Sequence, residues 1–198
     1  MAADKIVGAL IAAGAGTRFG GSKLEAMLDG AMLGTYAAGA LRAAPVSHWI
    51  AIVRADTHAL NEWLAGRGYR LIINDTPAAG LSHSVALAAQ TAMSHGANGL
   101  LIALADMPFV PVDYFARLVA DFAQRTPRQA VTSATGEAVM PPAMFPRSLF
   151  ESLMRSTGDS GGRQIIQGAA RISVDSAWLV DIDTHDDLTR AATRTSPK

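Results

Sequence analysis

Short apolar runs alternate with amphipathic helical patterns along the sequence, and this alternation limits the fold more than any other feature. Runs of strand length that are apolar almost throughout are typical of strands buried on both faces of a parallel sheet. We predict strands at residues 6–12, 49–53, 70–73, 100–105, 130–133 and 172–174, and helices at 33–43, 57–65, 84–93, 112–122, 147–154 and 185–192. The pattern favours an α/β fold with a doubly wound, mostly parallel sheet and helices on both faces. In such folds, ligands bind outside the carboxyl ends of the strands.

Two of the predicted helices have clear start signals. The helix at 112–122 follows Pro111 and repeats apolar residues at intervals of three and four, namely Phe115, Leu118, Val119 and Phe122. Thr184 precedes the last helix, and Asp187 stands three residues later. This spacing resembles a capping box, with aspartate in place of the commoner glutamate or glutamine.

The composition favours one domain that acts on small molecules. At 198 residues the chain has the usual length of a single domain, 1–198, in which we expect only 193–198 to form a disordered tail. Lysine plus arginine and aspartate plus glutamate both total 17, so the bulk charge does not favour nucleic acid as a partner. The absence of cysteine excludes thiolate chemistry and favours a hard cation held by carboxylates. No apolar run has the length of a membrane span, so we expect cytoplasmic residence and no membrane partner.

A glycine-rich turn follows the first predicted strand directly. Residues 12–23 read AAGAGTRFGGSK, and their basic members are Arg18 and Lys23. Small residues at such a turn let backbone N–H groups approach an anion closely, because no Cβ stands in the way. The Arg18 fork and the Lys23 point charge would supply the fixed positive charge that a triphosphate needs. The turn therefore predicts a phosphate-binding loop.

Three other interpretations of this turn compete. A P-loop needs four residues between its first glycine and a Gly-Lys-Ser/Thr triplet, whereas Lys23 follows Ser22 here. A dinucleotide fingerprint needs the spacing G-x-G-x-x-G, and Gly14, Gly16 and Gly20 have one residue too many. A plain strand-to-helix turn with solvated cations is the third interpretation, and the two basic residues count against it.

The segment LIAAGAGTRFGGSK at 10–23 resembles the signature of the MobA-like nucleotidyltransferases. Further segments match that family in order along the chain: GLSHS at 80–84, LADMP at 104–108, PAMF at 142–145, GDSGGR at 158–163 and DIDT at 181–184. The last three resemble the molybdenum cofactor cytidylyltransferase branch in particular. The resemblance implies a Rossmann-like nucleotidyltransferase fold with Mg²⁺ as cofactor.

Two groups of residues are candidates for nucleotide binding. The loop group is Ala12, Ala13, Gly14, Gly16, Arg18 and Lys23, of which Arg18 and Lys23 are candidate catalytic residues together with Asp106. The second group lies between a strand and a helix and consists of Asn74, Gly80, Ser82 and Ser84. The resemblance implies that this second segment contacts the base and the ribose. Alternatively, Ser82 or Ser84 caps the following helix.

Asp106 is the first candidate metal ligand. It ends an apolar strand and precedes Pro108, which cannot continue a strand ladder, so we expect it at the carboxyl edge of the sheet. A carboxylate there can hold Mg²⁺, which usually takes only one or two protein carboxylates plus phosphate oxygens. The resemblance assigns this role to Asp106. A loop cap or a solvated strand end is the alternative.

The second ligand is expected among Asp181, Asp183, Asp186 and Asp187, on a late strand whose alternation puts Asp181 and Asp183 on one face. The resemblance favours Asp183, which stands before Thr184 in the family's Asp-Thr pair, and leaves Asp181 as the alternative. We expect Asp186 and Asp187 to serve the helix start.

Two further positions come from the resemblance alone. It places the GDSGGR segment, with Asp159 and Arg163, on the side of the cleft that holds the molybdenum cofactor, although an ordinary surface turn fits this segment nearly as well. The sequence departs from the family pattern at His185, where proline is common.

The resemblance implies transfer of CMP from CTP to molybdopterin, or to its molybdenum-loaded form, with release of pyrophosphate. CTP or another nucleoside triphosphate and a molybdopterin-type cofactor are then the small-molecule partners, and a recipient molybdoenzyme or its chaperone is open as a protein partner. The alternatives are a guanylyltransferase or sugar-phosphate nucleotidyltransferase of the same fold, or a nucleotide-binding chaperone or regulator without turnover. The glycine spacing disfavours a Rossmann oxidoreductase.

Overall fold

The computed structural model describes residues 5–14, 16, 18–125, 128–156 and 165–195. A seven-stranded sheet consists of β1 Ile6–Ala12, β4 His48–Val53, β5 Arg70–Ile73, β6 Gly99–Leu104, β7 Val131–Thr135, β8 Ala138–Pro146 and β9 Ala170–Ser173. Two short strands, β2 Met27–Leu28 and β3 Ala31–Met32, pair separately. The helices that position the site are α1 Leu33–Arg42, α2 His58–Gly66, α3 Leu81–Ser94, α4 Val112–Gln124, α5 Phe150–Arg155 and the C-terminal helix His185–Thr195.

The strand order of the large sheet is β5-β4-β1-β6-β8-β7-β9. The first four strands in this order are mutually parallel, so their carboxyl ends meet at one edge. β8 runs antiparallel to both of its neighbours, and β9 is parallel to β7. The sheet is therefore mostly parallel, which confirms the predicted fold class.

Two apolar cores cover the two faces of the sheet. Alternation along β1 sends Ile6 and Leu10 into one core and Val7, Ala9 and Ile11 into the other. The first core also contains side chains of α1, α2, α4 and the C-terminal helix, whereas the second contains side chains of α3 and α5. Because β1 is buried on both faces, its sequence is apolar without interruption, as expected for a central parallel strand.

All six predicted strands are present, with bounds within two residues of the prediction. The predicted helix at 147–154 begins as the 3-10 turn Arg147–Leu149 before α5. The last helix continues through Thr195, so the prediction of a disordered tail is wrong for 193–195, and 196–198 lie outside the described residues. No helix in the described part of the chain is long and apolar enough to cross a membrane.

β8 was not predicted, because Pro141 and Pro142 argue against a strand in the interior of a sheet. The structure accommodates these prolines at a shift in the pairing register between Thr132 and Ser133 of β7. There, Thr132 Oγ1 donates to Met140 O at 2.9 Å, and Ser133 Oγ donates to Pro142 O at 2.7 Å. Side-chain hydroxyls of β7 thus donate to carbonyl groups of β8 where the register shift interrupts the regular ladder.

Candidate active site

The turn after β1 folds back on itself and places Lys23 beside the carboxyl end of that strand. Gly16 has a φ angle of 58°, in the left-handed region that favours glycine. Its carbonyl accepts from Phe19 N at 2.9 Å, and Lys23 N donates to Gly21 O at 2.9 Å. These bonds fix the loop on both sides of its basic residues. Residues 15 and 17 lie outside the described part.

A cavity of about 400 Å³ opens beside this turn, and we call it the loop cavity. Four of the predicted loop residues line it, namely Ala12, Gly14, Gly16 and Lys23. Ala13 instead packs in the second core. The opposite wall contains Arg54, Asp56 and Thr57 from the turn after β4. No motif marks these three residues, and the signal that could have found them is their position after the strand next to β1.

Arg54 and Asp56 form a charged pair on this wall. Arg54 Nε donates to Asp56 Oδ1 at 2.8 Å, and Arg54 Nη2 donates to the other carboxylate oxygen. These hydrogen bonds hold the pKa of Asp56 below its ordinary value. Thr57 Oγ1 and Asn61 Nδ2 both donate to Arg54 O, at 3.0 and 2.7 Å, and fix the turn. The wall therefore presents an ordered ion pair to the loop cavity.

The two predicted metal ligands meet at Lys23. Its Nζ lies 2.8 Å from Asp106 Oδ2 and 2.9 Å from Asp183 Oδ1. Arg18 Nη1 lies 2.9 Å from the second oxygen of Asp183. The exposed fraction of the side chain is 10% for Lys23, 23% for Asp106 and 35% for Asp183. We call Arg18, Lys23, Asp106 and Asp183 the lysine–carboxylate cluster.

Backbone hydrogen bonds bring the two carboxylates together. Ala105 N donates to Ile11 O at 3.0 Å, so the chain beyond β6 stays beside β1. Ile182 N donates to Asp106 O at 3.0 Å, and the Ile182 side chain is buried in the first core. Asp183 is therefore held next to Asp106 by one backbone bond and one buried anchor.

The segment that carries Asp183 is not a strand, so this part of the prediction is wrong. No strand is assigned at 180–183. The helix start uses the backbone instead, because Asp183 N and Thr184 N both donate to Asp187 Oδ2, at 3.2 and 2.8 Å. Alternation still holds locally, since Ile182 is buried while Asp181 and Asp183 on either side are more exposed.

The predicted capping box at the C-terminal helix is confirmed. Asp187 N donates to Thr184 Oγ1 at 3.1 Å, and Thr184 N donates back to the Asp187 carboxylate. Hydrogen bonds from Thr184 and Arg190 lower the pKa of Asp187 to about 2. His185, the position where the family commonly has proline, stacks on Phe19 with ring centroids 3.9 Å apart. The glycine-rich loop is thus held against the start of this helix.

Burial and nearby charges shift the pKa values of Lys23 and of Asp181. Burial disfavours the charged form of Lys23, but the Asp106 and Asp183 carboxylates outweigh this effect and raise the pKa of Lys23. Desolvation and the nearby Asp183 and Asp106 carboxylates raise the pKa of Asp181. Asp181 is therefore close enough for the charges of the cluster to change its pKa, whereas Lys23 donates its hydrogen bonds to Asp106 and Asp183.

The cluster fits a divalent cation that is shared with phosphates. Asp106 Oδ1 is buried and has no hydrogen-bond partner among the described residues. A buried acceptor without a partner is costly, and a bound cation would satisfy it. In the described ranges, no three His, Cys, Asp or Glu side chains form a group that could hold a metal. Asp106 and Asp183 are two carboxylates that could hold Mg²⁺, which usually takes only one or two protein carboxylates.

The second predicted nucleotide segment has a largely internal role in this structure. Asn74 Nδ2 donates to Ser84 Oγ at 3.0 Å, and both side chains are buried. α3 begins at Leu81 after Gly80, and no side chain caps it. The capping interpretation of Ser82 and Ser84 is therefore wrong. Contact of this segment with a base stays a prediction.

A second cavity, of about 690 Å³, lies between α3, α5, β6 and β8, and we call it the apolar cavity. Its lining includes Val85, Ile102 and Phe145 of the second core, whereas Ala12 and Leu24 of the loop cavity belong to the first core. The two cavities therefore lie on opposite faces of the sheet.

The apolar cavity approaches the cluster along β6. Leu104 lines it and precedes Asp106 by two positions, and Ser82 lines it as well. The lining continues on both sides of the segment 157–164, through α5 and Ile166. The predicted residues Asp159 and Arg163 belong to that segment and lie outside the described residues.

Residues 8–174 match the family described as the MobA-like NTP transferase domain. This chain belongs to that family. The match begins within β1 and ends after β9, so it includes the glycine-rich loop, Asp106 and the residues of both cavities. MobA-like membership makes the chain a nucleotidyltransferase by class.

A curated relative shares nearly the whole length of the MobA-like chain. The chain is 29% identical over 208 residues to the purine catabolism protein PucB of Bacillus subtilis (strain 168), and the alignment covers 97% of this chain and 99% of that protein. The likeness therefore includes the C-terminal segment with Asp183, which lies beyond the family match.

Solved structures show the same fold. Rv0371c from Mycobacterium tuberculosis H37Rv matches with a TM-score of 0.82 at 22% identity, over 98% of this chain and 100% of that chain. Its complex with manganese matches with a TM-score of 0.76 at 21% identity, over 96% and 98% of the two chains. Molybdopterin-guanine dinucleotide biosynthesis protein A from Archaeoglobus fulgidus matches with a TM-score of 0.66 at 21% identity, over 95% and 97%. These likenesses confirm the predicted Rossmann-like nucleotidyltransferase architecture.

Proposed function

We propose that this protein transfers CMP from CTP to the terminal phosphate of a molybdopterin-type cofactor, with Mg²⁺ as cofactor and pyrophosphate as the second product. The observation that carries the proposal is the position of Lys23, which lines the loop cavity and contacts both Asp106 and Asp183. A triphosphate in the loop cavity would thus meet a cation and two candidate metal ligands at one point.

The reaction needs no protein nucleophile. An oxygen of the acceptor phosphate attacks the α-phosphorus of CTP, the bond from that phosphorus to the bridging oxygen breaks, and pyrophosphate leaves with the electron pair. Lys23 and Arg18 neutralise the leaving pyrophosphate, and loop N–H groups orient it. Asp106 and Asp183 would hold Mg²⁺, which would supply further charge neutralisation.

The apolar cavity is the proposed acceptor site. It reaches Leu104, close to Asp106, from the face of the sheet opposite the loop cavity, so an acceptor there can present its phosphate to a nucleotide held on the other side. Asp159 and Arg163 belong to the segment whose flanks line this cavity, and their role on the acceptor side stays a prediction. The name of the Archaeoglobus protein supports a molybdopterin-type acceptor. A recipient molybdoenzyme or its chaperone in the cytoplasm would then take the product.

The test is product analysis with the full-length protein, Mg²⁺ and molybdopterin, offering each of the four ribonucleoside triphosphates separately. We expect pyrophosphate and a cytosine dinucleotide with CTP, and much less product with GTP, ATP or UTP. Asp106→Asn serves as the control that should abolish both products while the protein stays folded.

Three outcomes would change the proposal in different ways. A guanine dinucleotide as main product would keep the acceptor and overturn the choice of base. Turnover only with a sugar phosphate as acceptor would overturn the molybdopterin assignment. Tight nucleotide binding without any pyrophosphate release would favour the non-catalytic chaperone or regulator.

A further inference from the structure

Protein cations hold most of the oxygens that a metal ion would need in the lysine–carboxylate cluster. Lys23 occupies one oxygen of Asp106 and one of Asp183, at 2.8 and 2.9 Å. Arg18 occupies the other oxygen of Asp183 at 2.9 Å. The fourth oxygen, Asp106 Oδ1, is buried. The carboxylate pair is thus already neutralised by two positive side chains.

A divalent cation and the Lys23 ammonium compete for the same place. Mg²⁺ must lie about 2.1 Å from each ligand oxygen, and an ammonium group bridging the same two carboxylates would then be in direct repulsive contact with it. The Lys23 side chain is only 10% exposed, so solvent screens this repulsion little. A free metal ion therefore has to displace the Lys23 ammonium group from both carboxylates, and it provides no new anionic partner for that group.

We propose that Lys23 keeps the carboxylate pair closed to a free divalent cation and opens it when a nucleoside triphosphate draws the lysine onto its phosphates. This inference rests on the proposed function, because the displacing ligand is the triphosphate of that reaction. Nucleotide binding then precedes tight metal binding, and the two ligands strengthen each other.

The surroundings of Lys23 allow this exchange. Lys23 lines the loop cavity as well as contacting the carboxylates, so its side chain has a second place to go. Its backbone is fixed in the 3-10 helix Lys23–Glu25, where Glu25 Oε1 accepts from Leu60 N at 3.1 Å. The flexible four-carbon stem of lysine can therefore swing between carboxylate and phosphate while the main chain stays in place.

The experiment measures binding of Mn²⁺, as a spectroscopic replacement for Mg²⁺, to the full-length protein by electron paramagnetic resonance of the free ion. Wild type and Lys23→Met are titrated alone and with CTP, without acceptor, so that no turnover occurs. We expect CTP to tighten Mn²⁺ binding to wild type by about tenfold or more. Lys23→Met, which keeps the stem and loses the charge, should bind Mn²⁺ alone about tenfold more tightly than wild type and respond less to CTP.

Controls separate this effect from a general change of charge. Arg155→Met removes a cation on α5, paired with Glu151 outside the cluster, and should leave Mn²⁺ affinity unchanged. The double variant Lys23→Met with Asp106→Asn should not bind Mn²⁺ more tightly than wild type, because one of the candidate ligands is missing. Lys23→Gln repeats the measurement if circular dichroism shows that Lys23→Met is not folded. By linkage, Mn²⁺ must tighten CTP binding by the same factor by which CTP tightens Mn²⁺ binding.

The proposal is overturned if a folded, uncharged variant at position 23 binds Mn²⁺ alone no more tightly than wild type. It is equally overturned if wild type binds CTP and yet shows the same Mn²⁺ affinity with and without it. Failure of wild type to bind any nucleoside triphosphate in equilibrium dialysis would instead remove the proposed function. The comparison of variants with Mn²⁺ alone would still test whether Lys23 closes the carboxylate pair.

Discussion

Lys23 links the loop to the end of β6 and to the C-terminal segment, because its ammonium group donates to Asp106 and to Asp183. The sequence identifies it as basic and adjacent to a glycine-rich turn, and Asp106 and Asp183 are predicted as ligands at the same sheet edge. The contacts themselves could not be predicted, because they join residues 83 and 160 positions apart and depend on how far the loop folds back. Patterns of spacing reveal strand ends and turns, but they do not give the distance between side chains of remote elements.

The carboxylates give the sharpest prediction at the residue scale. Asp106→Asn and Asp183→Asn keep the shape of the side chain and remove a negative charge from the proposed metal site. We expect pyrophosphate release to fall by about 100-fold or more in each, with the fold retained in circular dichroism. Release is measured against Mg²⁺ concentration.

Asp181→Asn is the matched control for these variants. Asp181 lies two positions from Asp183, and burial and the carboxylates of the cluster both raise its pKa. Lys23 donates its hydrogen bonds to Asp106 and Asp183 instead, so we expect a smaller loss of activity in Asp181→Asn. A severe loss in Asp181→Asn with activity retained in Asp183→Asn would move the ligand assignment by two residues. Full activity in all three variants would remove the metal site.

Arg18 allows phosphate binding to be separated from stability. Its side chain is 75% exposed, so the contact with Asp183 should add little to folding, and Arg18→Ala should leave the melting temperature nearly unchanged. Triphosphate binding should weaken by about 1.5–3 kcal/mol, because a charge-assisted hydrogen bond is lost. Arg155→Ala, with a 72% exposed guanidinium on α5, is the control expected to affect neither property. Wild-type affinity in Arg18→Ala would exclude a phosphate role for this residue.

At the scale of elements, regular patterns were predicted well and exceptions poorly. β1 and α4 have the predicted periodicity, and the buried residues of α4 include Phe115, Leu118, Val119 and Phe122. β8 was missed because prolines oppose strand formation, and its place in the sheet depends on hydroxyls of β7 that no local pattern shows. The early start of α3 at Leu81 was missed because glycine at position 80, with a φ angle of 85°, begins the helix without a side-chain cap.

The start of the C-terminal helix yields a prediction about pH. Asp187 accepts hydrogen bonds from Thr184 and has a folded-state pKa of about 2, below its ordinary value of 3.8. A depressed pKa stabilises the folded state above about pH 4, and this contribution is lost as the pH falls towards 2. Asp187→Asn should therefore lower the free energy of unfolding by about 1 kcal/mol at pH 7 and by progressively less in acid.

Urea titrations at several pH values between 3 and 7 measure this effect. Asp186→Asn is the matched control, because Asp186 stands in the same first turn and the capping-box bonds belong to Asp187. Equal and pH-independent losses in the two variants would contradict the special role of Asp187.

Two glycines of α1 test how closely the helices pack behind the loop. A Cβ at Gly34 would lie 2.9 Å from a methyl carbon of Leu60 and 3.3 Å from Leu24 Cβ, next to Lys23, whereas a Cβ at Gly39 meets nothing within 4 Å. Gly34→Ala should therefore destabilise the protein, since overpacking costs about 1–3 kcal/mol and outweighs the helix propensity of alanine. Gly39→Ala should stabilise it by up to about 1 kcal/mol. Thermal unfolding of both variants measures the two changes in stability, and changes of the same sign would contradict this prediction.

At the scale of the whole molecule, one strand of the seven-stranded sheet, β8, runs against the other six. The parallel strands β5, β4, β1 and β6 hold the loop and Asp106 at their carboxyl ends, as the sequence predicts for a doubly wound fold. Beyond β6, β8 reverses direction, and β7 and β9 complete the sheet. Periodicity alone could not predict this reversal, because the direction of a strand depends on its connections and not on its own residues.

A backbone hydrogen bond from Ile182 N to Asp106 O, 3.0 Å long, joins the two ends of the long segment 107–181, which follows β6 and precedes the C-terminal helix. The two ends of this segment are thus neighbours in space, and they carry the two candidate metal ligands, Asp106 and Asp183. The intervening chain, which includes β8 and much of the lining of the apolar cavity, therefore forms one continuous insertion between two neighbouring points of the fold. A laboratory chimera with crossovers at these two residues is the corresponding design, and under the proposed function we expect it to change which acceptor is used while Lys23, Asp106 and Asp183 stay in place.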